Sequence, residues 1–232
     1  MRAISFKRHR FPPEIIRLAV WLYFRFTLSI RDVEEMLAQR SIDVSRETVR
    51  CWVNKFGPLM AASLRRRKLP PTGRWHLDEA MARIGGRRML IWRAVDDEGE
   101  VLDVLVQRRR NKAAALKLLR RLLKNQGVHP ESLVTDCLAS YSAAVRELNL
   151  ADRHHPGGMR ANNRTENSHL QIRGRERKQQ RFKSQGSVQR FLSTHAAIYN
   201  VFNIQPHLIS RPTLRIFRQR AFNAWELATA AA

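Results

Sequence analysis

Trp75-His76-Leu77-Asp78-Glu79 opens the stretch whose reading decides the fold, and its first four residues predict a strand. Gly85-Gly86 is a hairpin signal, and Met89-Leu90-Ile91-Trp92-Arg93-Ala94-Val95 is a largely apolar second strand. Asp96-Asp97-Glu98-Gly99 turns the chain into a third strand, Val101 to Val106. Asn111 to Asn125 predicts a helix, with Ala115, Leu118, Leu119 and Leu122 on one side and lysines and arginines on the other. Leu133-Val134-Thr135-Asp136 is a short fourth strand and Leu138 to Leu148 a second helix. A Gly/Pro/His-rich turn over His154 to Gly158 leads to a polar, basic helix from Asn163 to Arg181.

Three strands, a helix, a strand and a helix form the first half of a ribonuclease-H-like fold. The predicted class is α/β, a mixed five-stranded sheet flanked by helices. The right-handed crossover returns the fourth strand beside the first. Asp78 on the first strand and Asp136 at the end of the fourth are thereby expected close together. Adjacent carboxylates repel and stay ionised only beside a positive charge; in an oxygen-rich site open to water that charge is usually Mg²⁺. A third carboxylate completes a two-ion clamp for in-line phosphoryl displacement. Glu166 is the candidate, although a surface ion pair with a neighbouring arginine explains it as readily. His169, Leu170 and Arg173 follow it on the same helix side, and Arg173 is placed to hold a phosphate. Glu79 is expected on the opposite strand face, and Asp96, Asp97, Asp103 and Asp152 at turn or solvated positions.

The charge points to a polyanionic partner. Lys and Arg number 43 against 20 Asp and Glu, a formal net charge of +23 on 232 residues. Such a field favours nucleic acid, and it is uneven: residues 153–190 hold ten Arg/Lys but only the acids Glu166 and Glu176. No apolar run approaches the ~20 residues of a membrane span, and no secretory signal is visible at the N-terminus. The cysteines, Cys51 and Cys137, are too few for a disulfide scaffold. A reducing cytosol is the expected location.

Before the strands come three predicted helices: one from Pro12-Pro13-Glu14, one from Ser29 with Asp32 as an imperfect capping box, and one from Ser45 to Phe56, stopped by Gly57-Pro58. The last buries Val49, Trp52, Val53 and Phe56 and turns Arg46, Glu47, Arg50 and Asn54 outward. This describes a helix-turn-helix, in which arginine reads guanine and asparagine reads adenine in the major groove. The expected division is an all-α DNA-binding domain over 1–64, a basic Pro-containing linker over 65–72, a catalytic domain over 73–204 and a basic helical tail over 205–232. Candidate DNA contacts are Arg46, Arg50 and Asn54, joined by Arg164, Arg173, Arg177 and Lys178 of the basic block. Trp225 and Leu227 offer the tail a way to dock.

Four motifs in order carry a resemblance: Trp75-His76-Leu77-Asp78-Glu79, Trp92-Arg93-Ala94-Val95-Asp96, Val134-Thr135-Asp136, and Asn162-Asn163-Arg164-Thr165-Glu166-Asn167-Ser168-His169. With Arg175-Glu176-Arg177 and Arg181-Phe182-Lys183-Ser184, the chain resembles the IS-six family of insertion-sequence transposases over nearly its whole length. The resemblance implies an Asp-Asp-Glu transposase that binds terminal inverted repeats, cleaves DNA and transfers strands by 3′-OH attack, forming cointegrates. It implies Asp78, Asp136 and Glu166 as catalytic and metal-holding residues, with Arg173 as the accompanying basic residue. Mg²⁺ is the expected cofactor, two ions per site, with Mn²⁺ as substitute. Expected partners are double-stranded DNA (element ends and target) and further copies of the chain, in a homodimer or larger assembly. Departures from the family pattern are Cys137 and Ala139 where basic residues are usual, Ala80-Met81-Ala82 after the Asp-Glu pair, and a short interval from Asp136 to Glu166. The alternative is a non-catalytic helix-turn-helix protein or an inactivated copy. No Gly-rich phosphate loop or paired Cys/His spacing points to ATP or zinc.

Overall fold

A computed structural model describes residues 4–157, 163–178 and 182–230, with Asn163, Arg164, Glu166, Asn167 and Pro206 described by their backbone only. The chain divides into two compact units, Met1–Lys68 with Ala197–Ala232, and Leu69–Ala196.

The first unit is helical. α1 (Pro13–Arg25) starts on prolines, which cost nothing in a first turn, and buries Ile16, Ala19, Val20, Leu22, Tyr23 and Phe24. α2 (Ile30–Ala38) opens on a complete capping box: Asp32 N–H donates to Ser29 Oγ at 3.1 Å, and Ser29 N–H to Asp32 Oδ2 at 2.8 Å. α3 (Arg46–Arg67) is capped by Ser45. It does not stop at Gly57-Pro58 as expected, but runs through them to Arg67. Proline removes one helical hydrogen bond, yet Met60, Ala61 and Leu64 extend the buried stripe of Val49, Trp52, Val53 and Phe56. Burial along that stripe holds the helix across the break.

The C-terminal segment is part of this unit rather than a separate tail. α8 (Arg211–Thr229) buries Ala221, Trp225 and Ala228 and packs on α3. Phe222 lies 5.2 Å from Trp21 and 5.5 Å from Phe202, ring centre to ring centre. Trp225 is buried while Leu227 stays exposed.

The second unit holds a sheet of order β3-β2-β1-β4-β5. β1 (Arg74–Ile84), β2 (Arg87–Asp96) and β3 (Val101–Gln107) form an antiparallel meander. Gly85 and Gly86 turn the first hairpin with φ of 56° and 77°, the paired positive values a type I′ turn requires. α4 (Lys112–Gln126) then crosses over, so that β4 (Ser132–Thr135) lies parallel to β1. After α5 (Ala139–Glu147), β5 (His154–Pro156) pairs in parallel with β4. The turn expected at His154 is thus partly a strand. This is the ribonuclease-H-like topology.

α4 and α5 cover one sheet face, where Trp75, Leu77, Trp92 and Ala94 meet Leu118, Leu119, Leu122, Tyr141 and Val145. α6 (Asn163–Lys178) packs against β1 and β2. α7 (Gln185–Phe202) closes the β3 edge through glutamines: Gln189 accepts from Val106 N–H and donates to Val104 C=O, both at 2.8 Å. That pairing blunts an edge otherwise open to strand addition. Among the described residues no helix is long and apolar enough to cross a membrane.

Candidate active site

The parallel register between β1 and β4 builds the site. Leu77 is the partner of Thr135, and the next residue on each strand is an aspartate. Asp78 and Asp136 are therefore delivered side by side at the ends of the paired segments. Carboxylate oxygens of Asp78, Glu79 and Asp136 lie within 4.8 Å of one another.

Glu79 is the member that strand alternation hides. It leaves β1 on the α4/α5 face, as expected, yet its carboxylate still joins the cluster. Tyr141 of α5 donates its hydroxyl to Glu79 Oε2 at 3.0 Å. Arg110, from the loop between β3 and α4, bonds Glu79 through Nε and reaches Asp136 Oδ2 through Nη2 at 3.1 Å. Glu79 is 1% exposed in its side chain and Arg110 50%, so one guanidinium bridges a buried and a half-buried acid. Burial pushes the Glu79 carboxyl above its ordinary range; Arg110 and Tyr141 oppose this, and the charge on Asp136 reinforces it. Burial and the Glu79 charge push the Tyr141 phenol well above its usual value. Asp136 is further held by Leu138 N–H, which donates to Oδ1 at 3.2 Å.

Asp78 faces α6. His169 Nε2 lies 3.6 Å from Asp78 Oδ2, and the imidazole is buried. Burial lowers the His169 pKa, with Arg93 and Arg173 acting in the same direction and Asp78 against it. The backbone of Glu166 lies one turn before His169 on α6; its side chain is outside the described residues, as is that of Arg164. Arg173, Arg177 and Lys178 are exposed on the same helix. In the other unit Arg46, Arg50 and Asn54 are exposed on α3, with Arg50 bonded to Glu47.

Three oxygen donors at this spacing, one of them desolvated, suit a hard divalent cation such as Mg²⁺ or Mn²⁺. The guanidinium already bridging two of them marks where positive charge is stabilised. Asp96 and Asp103 serve structure. Asp96 accepts from Glu98 and Glu100 N–H in the β2–β3 turn. Asp103 is not solvated as expected: it is buried and paired with Arg121 at 3.0 Å. Sequence reading set Glu79 on the opposite face without giving it a part in the cluster, and missed Arg110 and Tyr141. Tyr141 lies two residues after Ala139, in a short helix beginning just past Asp136, and that position was the available signal.

A family model described as a DDE domain (DDE_Tnp_IS240) matches residues 72–205. The transposase for insertion sequence-like element IS431mec of Staphylococcus aureus (strain N315) is 30% identical over 179 residues, covering 75% of this chain and 80% of the relative. The transposase for insertion sequence element IS257 in transposon Tn4003, also of Staphylococcus aureus, is 29% identical over the same shares. Among solved structures, the simian T-cell lymphotropic virus intasome in complex with PP2A regulatory subunit B56 gamma aligns with a TM-score of 0.39 and 17% identity, over 69% of this chain and 50% of that chain. The magnesium complex of the HTLV-2 integrase catalytic core in its trimeric form aligns with a TM-score of 0.36 and 14% identity, over 69% and 86%. With more than half its length matched by the family model, the chain belongs to the DDE-domain insertion-sequence transposases of the IS-six family.

Proposed function

We propose that this transposase binds the terminal inverted repeats of its element, cleaves the phosphodiester at the element end, and joins the freed 3′-OH to target DNA, giving a cointegrate. Asp78, Asp136 and Glu166 are the residues assigned to hold divalent cations, two in number, Mg²⁺ with Mn²⁺ as substitute. When bound, such cations supply charge neutralisation at the phosphoryl oxygens. The chain contributes position and field rather than covalent chemistry. Asp78 within β1 and Asp136 just past the end of β4 would offer two of the ligands. Glu79, tethered by Tyr141, holds Arg110 against Asp136 and limits how far that carboxylate swings. Arg173 and its neighbours Arg177 and Lys178 bind DNA phosphates beside the acids, and Arg164 is assigned the same role. In the helical unit Arg46, Arg50 and Asn54 read base edges; Arg50 exchanges Glu47 for a guanine as it does so.

The observation that carries the reading is the Leu77–Thr135 register, which sets the first two acids together. The test is incubation of the chain with duplexes carrying the element's ends, a target plasmid and Mg²⁺. Joined products should form with the parent and not with Glu166→Gln, while end binding persists in both. Joining by Glu166→Gln at the parent rate overturns the assignment. Bridging two ends requires at least two copies, so DNA-dependent light scattering is expected to report a dimer or larger assembly, working in the bacterial cytoplasm.

A further inference from the structure

We infer that the tip of the β1–β2 hairpin is a rigid DNA-binding prong, gripping the phosphate backbone that flanks the reacting phosphodiester. The inference rests on the functional reading above. β1 pairs with β4 only as far as Leu77, yet its ladder with β2 continues to the Ile84–Arg87 pair. Six residues beyond Asp78, at ~3.3 Å each, carry the hairpin about 20 Å past the acids. At ~3.4 Å per phosphate of one strand, that reach matches roughly six phosphates.

The prong is basic and unneutralised. Arg83, Arg87 and Arg88 are exposed, and none forms an ion pair among the described residues. Arg83 and Arg88 sit directly opposite each other in the ladder, an arrangement that destabilises a sheet unless an anion lies between. Arg88 Nε meets the sulfur of Met81 at 2.9 Å, and Met81 is itself exposed. The register that pairs Leu90 with Gln107 brings Arg108 and Arg109, both exposed, to the same end of the sheet. Arg110 follows them and turns into the acid cluster. Exposed arginines thus run from Arg110 at the acids to the hairpin tip.

The prong is also held in place. Ile84 bridges to Phe182, and Gly85 N–H donates to Phe182 C=O at 2.9 Å. A Cβ at Gly85 would sit 2.7 Å from Lys183 O, so the tip backbone lies directly on that segment. Ala82, Ile84 and Met89 are buried beneath it. An anchored array of guanidiniums fits a regular polyanion, and duplex DNA is the occupant that the charge pattern and the neighbouring acids select.

The experiment compares three full-length variants with the parent: R83Q/R87Q/R88Q, R83K/R87K/R88K, and the equal-charge control K117Q/K124Q/R146Q on α4 and α5. Fluorescence anisotropy measures affinity for a labelled 30-base-pair duplex across salt concentrations, without divalent metal. The glutamine prong variant should lose about two to three from the slope of log K against log salt, near 0.9 per lost phosphate contact. The lysine variant should keep the parent slope and the control should lose less than one. A glutamine variant with the parent slope, as an acidic protein partner would leave it, or a control that falls equally, overturns the prong. A parent that binds no duplex overturns the functional reading itself.

Discussion

Arg110 donates through Nη2 to Asp136 Oδ2 at 3.1 Å, while its Nε holds the buried carboxylate of Glu79. One side chain therefore places a positive charge where a divalent cation is expected to sit. A cation entering the cluster has to displace that guanidinium or share the acids with it, and the competition is measurable.

Arg110→Gln should bind Mn²⁺ more tightly than the parent. Removing a competing unit charge worth ~1.4 kcal/mol corresponds to about tenfold in affinity, read by isothermal titration calorimetry. Weaker binding would mean that Arg110 supports the acids rather than competing for them.

Tyr141→Phe tests the anchor behind Glu79. The substitution keeps the ring packed against Trp92, at 5.5 Å between centres, and removes only the hydroxyl that Glu79 accepts. A hydrogen bond to a charged group is worth about 1.5–3 kcal/mol, and urea unfolding should show a loss of that size. Because the phenol stays protonated well past its usual range, the loss should not vary between neutral and mildly alkaline pH.

Glu79→Gln should change how stability depends on pH. The folded carboxyl titrates above the unfolded one, so the folded state retains a proton where the unfolded chain has released it. The associated stability is present below the ordinary glutamate value of 4.5 and is lost as pH rises through the folded value. Thermal melts from pH 4.5 upward should show the parent losing stability relative to Glu79→Gln. Parallel curves would contradict the buried-carboxylate assignment.

Pro58→Ala probes the break in α3. Proline inside a helix costs about 3 kcal/mol relative to alanine, and Pro58 is exposed, so no packing is lost. Thermal unfolding should show a gain of about 1–3 kcal/mol. No gain would mean that the helix bends there to the unit's advantage.

Much of this architecture was legible before any coordinates. Largely apolar runs bounded by Gly85-Gly86 and Asp96–Gly99 identified the antiparallel strands, and crossover handedness brought Asp136 to Asp78. What escaped did so for physical reasons. Gly57-Pro58 is a local stop signal, but Met60, Ala61 and Leu64 continued the stripe, and tertiary burial outweighed it. Glu79 obeys strand alternation, but Tyr141 and Arg110 hold its carboxylate beside those of Asp78 and Asp136. Arg110 ends a run, Arg108-Arg109-Arg110, with no motif around it; only the register of β3 beside β2 reveals where the run leads. Of the two docking residues, Trp225 is buried and Leu227 is not, and the basic C-terminal helix belongs to the helical unit.

The most direct test of the central claim is Mn²⁺ binding to the chain without DNA, followed by electron paramagnetic resonance in the parent, Asp78→Asn and Asp136→Asn. The account predicts saturable binding in the parent and a loss of about tenfold or more in each variant. Equal binding by all three would contradict a metal centre built on these two aspartates.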